Sequence, residues 1–156
     1  MKKSLFTTAL LLSVTMGSSI AYAKSEQSSY MEGGANHIEN RQTAFSNIED
    51  GLKKANRLID GKNTHWGELD QVSSELVGHG EVLKASFPAG SQQGSKASKD
   101  IWSKPAKFNS LMEQMDAGFV ELYAASVNQD AASAKSALKK SEKTCKSCHR
   151  SYRSRW

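Results

Sequence analysis

Two thiols and an imidazole stand almost side by side near the end of the chain: Cys145, Cys148 and His149, within the stretch "TCKSCHRSYR". These are the only two cysteines in the 156-residue sequence. Four chemistries use such a cluster. A disulfide between residues three apart would close a very small ring and gain little from loop entropy. A thioredoxin-like redox pair normally opens a helix that follows a strand, where the helix N-terminus lowers a thiol pKa; this pair lies near the far end of a helical pattern. Zinc asks for four ligands, and only three side chains cluster. The fourth chemistry is C-x-x-C-H attachment of a c-type haem. Two thiols one helical turn apart can add across the two vinyl groups on one porphyrin edge, and the next residue's imidazole then becomes the axial ligand of the iron. We read the cluster as that site. It would hold one haem c per chain, attached through Cys145 and Cys148 with His149 on the metal. A disulfide and a chance pentapeptide are the competing readings.

The elements that must position this cluster read as helices. From Asn36 onward, Ile38, Arg41, Phe45, Ile48, Leu52, Ala55 and Ile59 recur in steps of three and four, the seam of a helix in a bundle. "DGKN" (60–63) breaks that pattern. A second, looser stripe runs through Trp66, Leu69, Val72, Leu76, Leu83 and Phe87 and stops at Pro88. "PAGSQQGSKASKD" (88–100) is polar, rich in Gly and Ser and without period, so it is expected to be a long loop. Phe108, Leu111, Met115, Phe119, Leu122 and Tyr123 form a third stripe. "VNQD" (127–130) then turns the chain, with Asn128 or Asp130 available to cap the last helix. Ala134, Leu138, Ser141, Cys145, Cys148 and Tyr152 make that helix's inner seam. No alternating apolar run suggests a strand. The expected fold is all-α, an antiparallel four-helix bundle with a long connection between helices two and three.

The N-terminus carries a different signal. Lys2 and Lys3 precede the apolar run "LFTTALLLSV", and "SSIAYA" follows with small residues at Ala21 and Ala23. A charged head, a short apolar core and an A-x-A ending are expected of a secretory signal, residues 1–23, cleaved after Ala23. The run is short for a membrane span, and no other segment is long and apolar enough to be one. Residues 24–156 would then form a single exported domain, expected in the periplasm and off the membrane. Its formal net charge, +5 for the whole sequence, falls when Lys2 and Lys3 leave. That charge is too weak and scattered to suggest nucleic-acid binding. Clusters such as "KK" at 53–54 and 139–140 are most simply solvated helix faces.

Taken together, "RQTAF" (41–45), "FPAGSQQGSKASKDIW" (87–102), "KF" (107–108) and "CKSCHRSYR" (145–153) resemble the cytochrome c′ family of class II c-type cytochromes. That family is itself a standard example of the four-helix bundle. The resemblance implies that Arg41 and Gln42 lie at the haem edge, with Arg41 pairing a propionate. It places Phe45 over the iron, where six-coordinate relatives carry a ligating methionine. A phenylalanine has no lone pair to give, so a five-coordinate, high-spin iron with Phe45 as a lid is expected. Trp102 would pack close to the haem, Ser95 would lie near its edge, and Arg153 would stand beside the proximal His149. Family members commonly pair through their first two helices, so a homodimer is expected; Val77 and Val82 lie off the second helix's main stripe.

Two functions follow from the resemblance. One is capture of a small diatomic gas, nitric oxide foremost. The other is single-electron carriage between exported redox partners. Phe45 favours the first, because an open axial site is unnecessary for electron transfer. The chain is not read as an enzyme, since neither a distal histidine nor a paired acid stands near Phe45 to work on a bound substrate.

Overall fold

A computed structural model describes the backbone of residues 19–153 and the side chains of residues 36–153. Most of the expected export segment, residues 1–23, therefore lies outside the described residues. Four long helices carry the fold: α1 (Ser19–Leu58), α2 (Trp66–Ala85), α4 (Pro105–Val127) and α5 (Ala131–Tyr152). A short helix, α3 (Asp100–Ser103), closes the long connection, and no strand occurs among the described residues. This is the expected all-α bundle. The backbone of α1 starts well before the apolar seam that begins at Ile38. Helical hydrogen bonds need no apolar face, so the seam marks where α1 begins to pack rather than where it begins to coil.

Local chemistry sets the breaks. After α1, Gly61 adopts φ +51°, a left-handed conformation that glycine tolerates without strain. Thr64 Oγ1 locks the turn by donating to the Gly61 carbonyl at 2.8 Å and accepting from the Asp60 amide at 3.2 Å. Pro105 sits in the first turn of α4, where its missing N–H costs nothing. Of the two candidate caps for α5, the structure uses Asp130: its Oδ1 accepts from the Ala132 and Ser133 amides, each at 3.0 Å.

α1 packs along α2, α2 along α4, and α4 along α5, whereas α1 and α5 meet over a much shorter stretch. The core between the three tight pairs includes Leu69, Leu83, Phe119, Leu122, Ala55 and Ala134, all 0% exposed. At Gly118 the approach of α5 is so close that a Cβ would collide with Ser141 Oγ. Tyr123, expected in the third seam, is instead 39% exposed. Leu122 occupies the inner position, and a neighbour one residue on is rotated about 100° around the helix, away from the core. Phe87 lies just past the end of α2. Its ring packs on Phe108 with centroids 4.9 Å apart, and Phe108 in turn meets Tyr152 at 5.4 Å, tying the loop to α4 and α5.

Candidate functional site

The short contact between α1 and α5 leaves a cleft between them, and the cysteine–histidine cluster lies on its α5 wall. Two adjoining cavities make up the cleft, of about 380 Å³ and about 510 Å³. Phe45, Glu49, Cys148 and His149 line both, so the cavities meet between α1 and the end of α5. The first is an apolar slot walled by Ile48, Leu52, Leu111, Met112, Met115 and Cys145, with Glu49, Lys53, Glu142 and Lys146 among the residues around it. The second opens toward the long loop and is bordered by Arg41, Gln42, Ser95, Tyr152 and Arg153.

Of the nine residues singled out from the sequence, eight are brought to this cleft. Cys145 and Cys148 are half-buried separate thiols. Burial pushes the Cys145 thiol up from its ordinary value, and pushes Cys148 up to about 11, with Cys145 adding a smaller effect. A thiol pair built for redox exchange has a depressed pKa; this one is held neutral in an apolar wall. His149 follows on the same helix, exposed at the cleft. Across from it stands Phe45, ring centroids 6.3 Å apart and planes at 68°.

Arg41 is the most constrained residue of the site. It is 4% exposed, and its guanidinium lies over the rings of Phe87 at 4.7 Å and Trp102 at 5.7 Å. Nε donates to the His37 carbonyl at 3.2 Å and Nη2 donates to the Ser91 carbonyl. Nη1 is buried with no partner. Burial lowers the Arg41 pKa, although an arginine still keeps its charge. A buried cationic donor without an acceptor is costly unless an anion meets it.

Trp102 is the residue not brought to the cleft. It sits in α3 behind Phe87, and its indole N–H donates to the Pro88 carbonyl at 2.9 Å and the Phe87 carbonyl at 3.2 Å. It therefore anchors the loop and stacks on Arg41 from behind. The loop is fixed at its other end by the Ser98 amide, which donates to the Tyr152 carbonyl at 2.8 Å, and by the bridge between Ala97 and Arg153. This latch holds Ser95 at the mouth of the second cavity, its Oγ donating to the Gln92 carbonyl at 2.9 Å. Sequence reasoning missed Glu49, which lines both cavities one turn after Phe45; that spacing was the available signal. Its carboxyl is held below the usual range first by its hydrogen bond and charge interaction with Lys53, at 2.7 Å, and more weakly by His149 and Arg153.

These residues fit a haem. The slot is apolar, two thiols and an imidazole share one wall, and an orphaned guanidinium N–H waits for a carboxylate. They do not suit a bare metal ion: no group of three or more His, Cys, Asp or Glu able to hold one exists among the described residues.

Comparison with known proteins agrees. The family model described as cytochrome c′ matches residues 36–153. No curated protein sequence matches the chain. Among solved structures, cytochrome c prime from Shewanella frigidimarina is 27% identical with a TM-score of 0.70, over 78% of this chain and 96% of that one. Cytochrome c′ from Rubrivivax gelatinosus is 24% identical with a TM-score of 0.71, over 77% and 96%. A nitric oxide complex of a leucine-to-alanine mutant of cytochrome c prime from Alcaligenes xylosoxidans is 22% identical with a TM-score of 0.72, over 79% and 97%. Because the family match spans every residue from the start of the α1 seam to Arg153, the chain belongs to the cytochrome c′ family of haem proteins.

Proposed function

We propose that this protein is an exported, periplasmic c-type haem protein that captures a small diatomic gas, nitric oxide above all, at a five-coordinate high-spin iron. The observation that carries this reading is the pairing of Phe45 with His149 across the cleft: the side chain facing the imidazole is a hydrocarbon ring with nothing to donate to a metal. When bound, haem would supply an iron able to take an imidazole and a small gas as ligands.

The chain's own residues do the rest. Cys145 and Cys148 would hold the haem through two thioether bonds, each thiol adding its S–H across one vinyl group. The imidazole of His149 would ligate the metal. Arg41 Nη1, held in place by Ser91, Phe87 and Trp102, would donate to a propionate, with Gln42 and Ser95 lining the same cavity. Phe45, across the cleft from His149, would have to rotate aside for a gas to enter. Arg153, which lines the second cavity with His149, would stand beside that ligand. Removal of residues 1–23 accords with attachment outside the inner membrane, and no helix among the described residues is long and apolar enough to cross one. A homodimer through α1 and α2 is part of the proposal, supported by Val82, which is 48% exposed. Sedimentation at micromolar concentration tests it, with a monomer alone as the contrary result.

An optical spectrum of the reduced protein, with and without nitric oxide, tests the central claim. A high-spin ferrous spectrum that changes on adding the gas is expected. A six-coordinate low-spin ferrous spectrum would mean that another side chain, Met112 or Met115 of the slot, holds the sixth position. The function would then be single-electron carriage.

A further inference from the structure

The outer face of α5 is charged in a way that the fold does not require. Lys135, Lys139, Lys143, Lys146 and Arg150 follow one another in steps of four, four, three and four, and Arg153 comes three residues later at the helix end. These steps keep all six on one side of the helix, and all six are exposed. The stripe extends about 27 Å at 1.5 Å per residue. None of the six makes a close ion pair among the described residues, Arg153 interacting only weakly with Glu49; the nearby Lys140 is the α5 cation that does, bound to Glu121 at 2.6 Å. Like charges at this spacing oppose the helix that carries them, so stability does not account for the stripe. α5 with Arg153 holds seven cations against Glu142 alone. α2, which lies across the bundle with α1 and α4 as neighbours, carries Glu68, Asp70, Glu75 and Glu81 against Lys84. The molecule is thus polarised across its width.

The stripe also borders the cleft. Lys146 lines the first cavity and Arg153 the second, and His149 lies between Lys146 and Arg150 in the chain. We propose that the α5 face is the docking surface for an acidic one-electron carrier protein, which the stripe orients against the cleft edge beside His149. With haem bound, one electron would pass from the partner's centre, oxidised by one electron, to reduce ferric iron to ferrous, with no proton moved. The docking rests on α5 alone, whereas the electron step rests on the haem reading above. A protein is favoured over a bilayer or a nucleic acid because no large apolar or aromatic side chain interleaves the six cations to enter lipid or stack on bases. Electrostatic orientation of this kind sets encounter rate and register, and it weakens with salt.

The test uses the holoprotein with a flavodoxin as acidic one-electron probe. Amide chemical-shift mapping at low salt should show perturbations confined to the α5 face and the adjoining loop. Binding should weaken at least about tenfold between 10 and 200 mM salt, as expected once the Debye length falls. The triple reversal Lys135→Glu, Lys139→Glu, Lys143→Glu, at positions that line neither cavity, should abolish binding while its absorption and circular dichroism spectra stay native. Should that variant fail to fold, the pair Lys139→Ala, Lys143→Ala should weaken binding in proportion. The control Lys54→Glu, Arg57→Glu, two exposed α1 cations on the side that faces α2, should leave binding within about twofold, the span of a salt-screened surface charge. Absence of flavodoxin binding, salt independence or an equal effect of the control overturns the proposal. So does tighter binding to phosphatidylglycerol vesicles or to a duplex oligonucleotide, or self-association that the same reversals abolish. Binding without electron transfer leaves the docking face standing and counts against the haem reading alone.

Discussion

Along α2 and α4 the side chains meet with nothing between them, whereas α1 and α5 hold theirs apart. The first seam is closed by the chain itself, apart from Asp116 Oδ1, which is buried without a hydrogen-bond partner. Leu69 and Phe119 are fully buried in it, Ser73 Oγ and Ser126 Oγ share a hydrogen bond at 3.1 Å, and Lys84 binds Asp116 at 2.7 Å from one helix to the other. The second side is unfinished in each of these respects. Its apolar residues, Ile48, Leu52, Met112 and Met115, face a slot, and the guanidinium of Arg41 keeps a buried N–H without an acceptor. The same repeating seam therefore serves two ends in one bundle. Where it closes on itself it supplies stability, and where it stays open it supplies a shape and a set of donors. Changes on the two sides should be felt by different instruments.

The largest effect should come from the open side. Replacing Cys145 and Cys148 together with serine removes the covalent attachment, and with it the group that we propose fills the slot. Wild-type protein should keep its colour through acid-acetone extraction. The double variant should purify largely colourless, with a broad, much lower thermal transition by circular dichroism. Colourless protein that melts as cooperatively and as high as wild type would show that the α1–α5 side is self-sufficient after all.

On the closed side, Phe119→Ala removes a ring that is 0% exposed. Truncations of this kind cost about 3–5 kcal/mol, which denaturant titration should report. The optical spectrum should nevertheless be unchanged, because Phe119 lines neither cavity of the cleft. A changed spectrum would mean that the two sides are coupled more tightly than their packing suggests.

Phe45→Ala is the converse case. The ring is only half-buried, so stability should change little, while the face opposite His149 opens. On the proposed reading, a gas entering the native protein has to displace the ring at about 0.5–1.5 kcal/mol if an off-rotamer position results. Carbon monoxide, which bonds ferrous haem more weakly than nitric oxide, should feel that cost most. Its affinity should rise about tenfold in the variant, the equivalent of 1.4 kcal/mol. Phe45→Met should instead produce a six-coordinate, low-spin spectrum. Unaltered carbon monoxide affinity in Phe45→Ala would remove the lid from the mechanism.

The seam positions of the bundle were legible in the sequence because periodicity reports burial directly: Ile48, Leu52, Leu69, Phe119, Leu122 and Leu138 all lie where their spacing puts them. The cluster at 145–149 was legible because few arrangements place two thiols and an imidazole so close. What periodicity could not convey was which inner positions close on a neighbour and which face a gap. Met112 and Met115 look like ordinary core in a helical wheel, yet both line the slot. Trp102 went the other way. Its place behind Arg41 depends on two carbonyls, of Phe87 and Pro88, in a loop whose course no pattern of side chains encodes. Glu49 was hidden by its charge, since a carboxylate one turn after Phe45 reads as solvated surface.

The smallest expected effect tests the joint between the two sides, where the chain leaves α4 and enters α5. Asp130 caps α5 through the Ala132 and Ser133 amides, and its Oδ2 also accepts from Ser133 Oγ at 2.6 Å. These bonds favour the carboxylate, with Ser133 first, so its pKa in the fold lies below the ordinary 3.8. A carboxyl whose pKa is depressed by folding stabilises the fold above its unfolded value and loses that contribution as pH falls through the folded one. Asp130→Ala should therefore lower the melting temperature at pH 7, less than any change above, and the difference from wild type should shrink steadily below about pH 4. Asp130→Asn should recover most of the loss, because asparagine caps nearly as well without a charge. The haem spectrum should be the same in all three proteins, since the cap lies at the opposite end of α5 from His149. A gap between Asp130→Ala and wild type that stayed constant down to pH 2.5 would assign the effect to helix propensity rather than to the cap.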